Sequence, residues 1–280
     1  MLGKLTKHEL IASGRMLIPM YIALICASVV GKVFIWISSK EAFIDSVPFT
    51  FYKIVSGISS LVTILYIIMI IVVLIATILF ILIRFYKNYY TDEGYLMLTL
   101  PVSSKSLILS KLFAALIWTV VSIAVVLGTI ALIINSDETQ HSFKLICEEF
   151  MNLLGRMAPE MNLSVGWLIT EGILVILIAI ISKYLMFYTS IAAGPSFSNK
   201  NKVVGSIIAY VVITILSQIV SLIMMYVLSN VMPNYIDSLG QNAGQAVQST
   251  VLATGIINLI FCVVFFFVTD HLMKTKTNLE

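Results

Sequence analysis

The chain has 280 residues, 60% of them hydrophobic and 11% charged, with 17 Lys+Arg against 14 Asp+Glu. A soluble domain carries about 25% charged residues, so the charge here is too sparse for a solvated surface, and a net +3 is too small for a nucleic-acid binder. Composition therefore excludes a soluble globular enzyme, a disordered chain and a nucleic-acid-binding protein, and points to a bilayer as the solvent.

A helix needs about 20 mostly apolar residues to cross roughly 30 Å of hydrocarbon, and six stretches qualify. They are residues 15–38, 54–84, 112–134, 165–193, 203–229 and 250–269. Backbone amides in lipid must be paired within their own segment, which makes these stretches helices. The expectation is an all-α integral membrane protein, with residues 1–280 forming a single transmembrane domain. The second stretch holds 30 uncharged residues between Lys53 and Arg84. At about 1.5 Å per residue it must tilt or project from the membrane. Cys26 and Cys262 lie in apolar runs and Cys147 in a polar one, so no disulfide framework or CxxC pair arises. Large Leu24 and Ile25 before Cys26, and an apolar run continuing to Trp36, mark the first stretch as a retained span rather than a cleaved leader.

An even number of spans leaves both termini on one side, and Lys/Arg placement selects that side. With the N-terminus inside, 12 of the 17 Lys/Arg are cytoplasmic, and only Lys32, Lys40, Lys53, Lys144 and Arg156 are outside. Acidic residues lean the other way, with 9 of 14 outside. Both termini are therefore expected to be cytoplasmic, in the cell membrane.

Ahead of the first span, Leu2, Leu5, Leu10 and Ile11 alternate with Lys4, Lys7 and His8 at helical spacing. The pattern predicts an interfacial helix with its leucines toward the acyl boundary. Between the third and fourth spans, Phe143, Ile146, Phe150, Leu153, Leu154 and Met157 recur at three and four, so residues 135–166 read as an outer amphipathic segment. Residues 230–249 lack Lys and Arg and mix amides with apolar residues, which fits short interfacial or re-entrant helices.

The stretch between the second and third spans carries the strongest signal. A basic-aromatic extension (Arg84, Phe85, Tyr86, Lys87, Tyr89, Tyr90) ends in Asp92-Glu93-Gly94, and Leu98-Thr99-Leu100-Pro101-Val102 follows. Pro101 disfavours helix at Leu100, after which Ser103 or Ser104 caps a new helix. The expected product is a short surface helix presenting Ser103, Ser104, Lys105 and Lys111, with Leu107 and Leu109 inward, and then a turn into the third span. A partner pushing on such an element would move the second and third spans together.

This pattern of acidic-acidic-Gly-Tyr, Thr-Leu-Pro-Val-Ser and Leu-X-X-Ser-Lys-Leu resembles the first cytoplasmic loop of type-2 ABC-transporter permeases, especially the six-span permeases of Gram-positive bacteria. The opening Leu5–Pro19, with Arg15 and Pro19 heading the first span, the loop 194–202 and the ending 274–280 are similar to theirs in layout; Gly194-Pro195 departs from the family's Gly followed by a polar residue. The resemblance implies a coupling helix through Pro101, Val102, Ser103, Ser104, Lys105 and Lys111 that docks on cytoplasmic ABC ATPase subunits. It also implies a second permease copy or a related permease, and outward movement of an amphiphile such as a peptide antibiotic, drug or lipid. The chain has no Gly-X-X-X-X-Gly-Lys-Ser/Thr motif. ATP would then be bound by the partner, and this chain would be no enzyme and hold no cofactor or metal.

Polar groups at membrane depth are functional candidates. Lys183 lies near the middle of the fourth span, and is either a cavity-facing cation or a snorkelling one. Glu171, twelve residues earlier, lies too far along the axis to pair with it. Gln218, within the stripe Thr214–Ser217–Gln218–Ser221, and Asn258, within Thr254–Asn258–Cys262, complete a possible translocation path. The same stripes also suit helix–helix hydrogen bonding. Two other classes compete with the permease reading, a non-transporting scaffold or sensor subunit and a secondary transporter. The latter calls for inverted repeats and buried ion-binding carboxylates, of which the chain shows no convincing example.

Overall fold

A computed structural model describes residues 2–39, 48–90, 102–134, 137–161, 163–198, 201–231 and 243–275. Every regular element among them is a helix: α1 (Leu2–Ser39), α2 (Phe49–Tyr90), α3 (Ser104–Ile134), α4 (Asp137–Glu160), α5 (Val165–Phe197), α6 (Lys202–Val231) and α7 (Ala243–Thr275). All but α4 are long and apolar enough to cross a membrane, and each contains one of the six apolar stretches. The helices overrun those stretches, at both ends in all but α3, which ends with its stretch, and α5, which begins with it. Helix α2 has 42 residues and is thus about 63 Å long, roughly twice the hydrocarbon thickness.

The described chain divides into two compact units, residues 3–84 with 113–147 and residues 85–112 with 148–280. The first holds α1, most of α2 and most of α3. Its core is built on Leu17, Tyr21, Leu24, Tyr66, Val73 and Val126. Without water between helices, polar side chains must find partners on neighbouring helices or on their own backbone, and this unit does both. Tyr66 donates to Thr129 Oγ1 at 2.9 Å. Thr77 lies between Tyr21 and Ser122, at 3.4 Å from each hydroxyl, and donates to the Val73 carbonyl of its own helix. The pairs Tyr21–Thr77 and Ser38–Ser59 set α1 and α2 antiparallel. A Cβ on Gly14 would lie 3.0 Å from the Trp118 ring, closer than an ordinary contact, so a larger residue here would push the ring of α3 away.

A buried charged pair, Glu9 with Arg84, also lies in this unit. Glu9 Oε2 accepts from Arg84 Nε at 2.5 Å, with the carboxylate side chain 4% exposed and the guanidinium side chain 29%. The pair joins the first turns of α1 to the far end of the second apolar stretch. Nothing in helical periodicity singles out Glu9, which is why it escapes a reading of the sequence.

The N-terminal stretch differs from its expectation. It is not a separate interfacial helix but the opening of α1, which continues unbroken through Pro19. Residues 2–18 contain no proline, so no obligate break separates them from the span. Lys4, Lys7, His8 and Ile11 are exposed, while Leu2, Leu5 and Leu10 are half-buried against the protein and Glu9 is buried. Within the segment expected to be amphipathic, residues 137–160 form a helix, α4, along which Phe143, Ile146, Phe150 and Leu153 are exposed and Ala158 is buried.

Arg84→Ala removes the charge that compensates a buried carboxylate and should destabilise the chain by about 3 kcal/mol. Glu9→Gln leaves a guanidinium that already reaches solvent and should cost less than half of that. Thermal unfolding in mild detergent measures the ordering, and equal losses would contradict it.

Candidate functional site

The second unit holds the last turns of α2, the first of α3, the later part of α4, and all of α5, α6 and α7. Its packing is concentrated on α5, where Ser182, Tyr184–Met186 and Tyr188–Gly194 are all buried. Cys262 Sγ lies 3.6 Å from the Ile178 carbonyl, and Thr189 Oγ1 is 2.8 Å from Thr269 Oγ1, so α5 and α7 run parallel. Phe187 stacks on Tyr210 at 4.9 Å between centroids, and Gly194 meets Gly205, so α5 and α6 run antiparallel. At that crossing a Cβ on Gly205 would run into the Gly194 carbonyl, and one on Gly194 would lie 2.5 Å from Ser206 Oγ.

Pro195, inside α5, has no N–H for the carbonyl four residues back. That carbonyl belongs to Ile191, and the Tyr90 hydroxyl of α2 donates to it. The bond supplies what the proline removed. The neighbouring Tyr89 hydroxyl donates to the Leu272 carbonyl at 3.4 Å, in the last turn of α7, where carbonyls lack intrahelical partners. Phe85 stacks on Tyr188, which is fully buried, at 4.0 Å between centroids. Lys202 Nζ lies 5.3 Å from the Tyr90 ring centroid. The basic-aromatic extension is thus a clamp that fastens the end of α2 to α5, α6 and α7.

The start of α3 is fastened to the same helices. Ser103 is its N-cap, and its Oγ accepts from the Ser106 amide at 3.4 Å. Leu107 and Ile108 are buried and Leu109 is half-buried. Lys105 is exposed, with Nζ 5.6 Å from the Phe267 ring centroid of α7. The Tyr188 hydroxyl donates to the Lys111 carbonyl at 3.4 Å.

Two features of the expected coupling element are corrected. No turn separates a surface helix from the third span, because α3 is continuous from Ser104 to Ile134 and those residues contain no proline. Lys111 does not face solvent: it is 8% exposed, one turn beyond Leu107 and Ile108 on the packed side. Ser103 and Lys105 are exposed, Val102 and Ser104 are half-buried, and Pro101 lies outside the described residues.

The three translocation-path residues stand on three different helices, Lys183 on α5, Gln218 on α6 and Asn258 on α7. Lys183 is exposed, one turn before Phe187 on α5, and the Phe187–Tyr210 register brings it level with Thr214 of α6. Gln218 is exposed on α6, beside the half-buried Thr214, Ser217 and Ser221. Thr214 and Ser217 donate to carbonyls of their own helix. Asn258 donates to the Thr254 carbonyl within α7 at 2.9 Å. Asp270 is buried and pairs with Lys274 at 2.6 Å. Among the described residues no cluster of His, Cys, Asp and Glu suits a metal ion.

No family model, no curated protein and no solved structure matches the chain. What the site can do must therefore be read from its own geometry.

Sequence reasoning noted the aromatic extension but not its targets. The signal was available in Pro195, since a proline within an apolar helix requires an outside donor for the carbonyl it frees. Tyr90→Phe should cost about 1–3 kcal/mol, the penalty of a buried unsatisfied carbonyl. In a Pro195→Ala background the restored backbone N–H takes that carbonyl, and the same change should cost under about 0.5 kcal/mol. A double-mutant cycle by thermal or denaturant unfolding in detergent checks this; equal costs in both backgrounds would refute it.

Proposed function

We propose that this chain is the membrane-spanning permease subunit of an ATP-driven exporter of the type-2 ABC class. It sits in a bacterial plasma membrane with both termini cytoplasmic, and works as a dimer with itself or a related permease. ATP is hydrolysed on separate ATPase subunits, and the cargo is an amphiphile: a peptide antibiotic, a drug or a lipid.

The observation that supports this reading best is the double anchoring of the connection between α2 and α3. The chain before it is clamped by Tyr89, Tyr90 and Phe85, and the chain after it by Lys105 and the Lys111 carbonyl. Both anchors fall on α5 and α7. A force applied by a cytoplasmic ATPase to the connection and the exposed first turn of α3 would reach α5 and α7 together, the helices that carry Lys183 and Asn258. The coupling element in this reading is the motif through Pro101 and Val102 continued into the capped start of α3.

Three measurements test the proposal. With a candidate ABC ATPase co-expressed, Lys105→Glu combined with Ser103→Glu and Ser104→Glu should lower co-purification or transport-linked ATP hydrolysis by about tenfold, a loss near 1.4 kcal/mol. Unchanged values would remove the coupling assignment. Lys183→Ala should reduce transport while leaving assembly intact; an assembly defect alone would make Lys183 a packing residue. In intact cells a membrane-impermeant maleimide should label Cys147, which is exposed on α4, and labelling should vanish in Cys147→Ser. Labelling of Cys147 only after the membrane is opened would invert the topology.

A further inference from the structure

The exposed face of α1 belongs to neither the core nor the clamp. Lys4, Lys7, Ile11, Arg15, Ile18 and Ile22 follow one another at spacings of three and four, and all six are exposed. The opposite face is pinned: Glu9 pairs with Arg84, Gly14 abuts Trp118, and Leu17 is fully buried. The helix cannot roll to hide its cations. No carboxylate lies in ion-pair range of Lys4, Lys7 or Arg15 among the described residues. Arg15 is also flanked by Ile11 and Ile18, which are 51% and 50% exposed.

We propose that this face binds anionic phospholipid headgroups of the leaflet in which α1 begins. The face requires an occupant that is anionic at one end and apolar at the other. A phospholipid supplies both, with its phosphate beside Lys4, Lys7 and Arg15 and its acyl chains along Ile11, Ile18 and Ile22. Free phosphate or a soluble phosphate ester supplies only the charge and leaves the isoleucines uncovered. Lys4 and Arg15 are about 16 Å apart along the axis. Arg15 therefore extends its long stem along the isoleucines to bring its guanidinium toward the headgroup layer. Juxtamembrane cations facing an anionic leaflet are attracted to it within about a Debye length.

The full-length chain, purified in mild detergent, is titrated with mixed micelles of phosphatidylglycerol or phosphatidylcholine, and lipid retention is read by native mass spectrometry. Phosphatidylglycerol should be retained preferentially, and the preference should weaken as salt rises. A triple Lys4→Gln, Lys7→Gln, Arg15→Gln variant should lose affinity by about fivefold per cation. Lys53→Gln with Arg156→Gln, cations remote from this face in sequence, should lose none. A charge-preserving Lys4→Arg, Lys7→Arg, Arg15→Lys variant should retain it. Thermal unfolding without lipid establishes that each variant is folded. Equal retention of the two lipids, equal loss in the control variant, or displacement of the lipid by inorganic phosphate at matched concentration would each overturn the proposal.

Discussion

A backbone polar group in hydrocarbon has no water to fall back on, and this constraint governs how the chain folds. It forces helices wherever the sequence is apolar for long enough, and it makes every break in a helix a demand on the rest of the molecule. Pro195 creates the most consequential demand. It withdraws an amide from the Ile191 carbonyl at the centre of the second unit, and the Tyr90 hydroxyl answers from α2. An aromatic extension that would otherwise be a membrane-surface anchor thereby becomes a structural connection from α2 to α5, α6 and α7.

The same economy explains the polar residues of the spans. In the first unit, Tyr66 with Thr129 and Tyr21 with Thr77 join neighbouring helices where the apolar effect offers little discrimination between one rotation and another. In the second unit the Thr189–Thr269 pair does the same for α5 and α7. Several remaining hydroxyls donate to carbonyls of their own helix. Glu9 and Arg84 are the costly member of the set, a buried charge made tolerable by direct pairing.

Function in this reading follows from where rigidity is placed. The end of α2 and the start of α3 are both fastened to α5 and α7, and those two helices are knitted to each other by backbone and hydroxyl contacts. Motion of the intervening connection cannot be absorbed by fraying at its ends. Toward the start of α5 its side chains are predominantly exposed or half-buried, and the packing tightens from Ser182 onward. Lys183 sits at that transition, exposed where its neighbours on the next turn are buried. A cation in that position is costly in lipid, and an occupied translocation path or a second permease copy would relieve the cost.

Hydropathy and charge in the sequence were sufficient for the class of fold. Runs of 20 or more apolar residues give six helices long and apolar enough to span a membrane, and Ser103 marks where α3 is capped. Side-chain pairing was not legible, since one sequence pattern suits several helix rotations. Only the tertiary structure decided that Lys111 is buried, that the Asn258 amide is taken up by its own helix, and that Glu9 lies against Arg84. The physical reason is that apolar periodicity is nearly silent when a helix is apolar on all sides. In such helices a few polar contacts and close glycine approaches set the rotation, and their partners lie far away along the chain: 75 residues from Glu9 to Arg84, 101 from Tyr90 to Ile191.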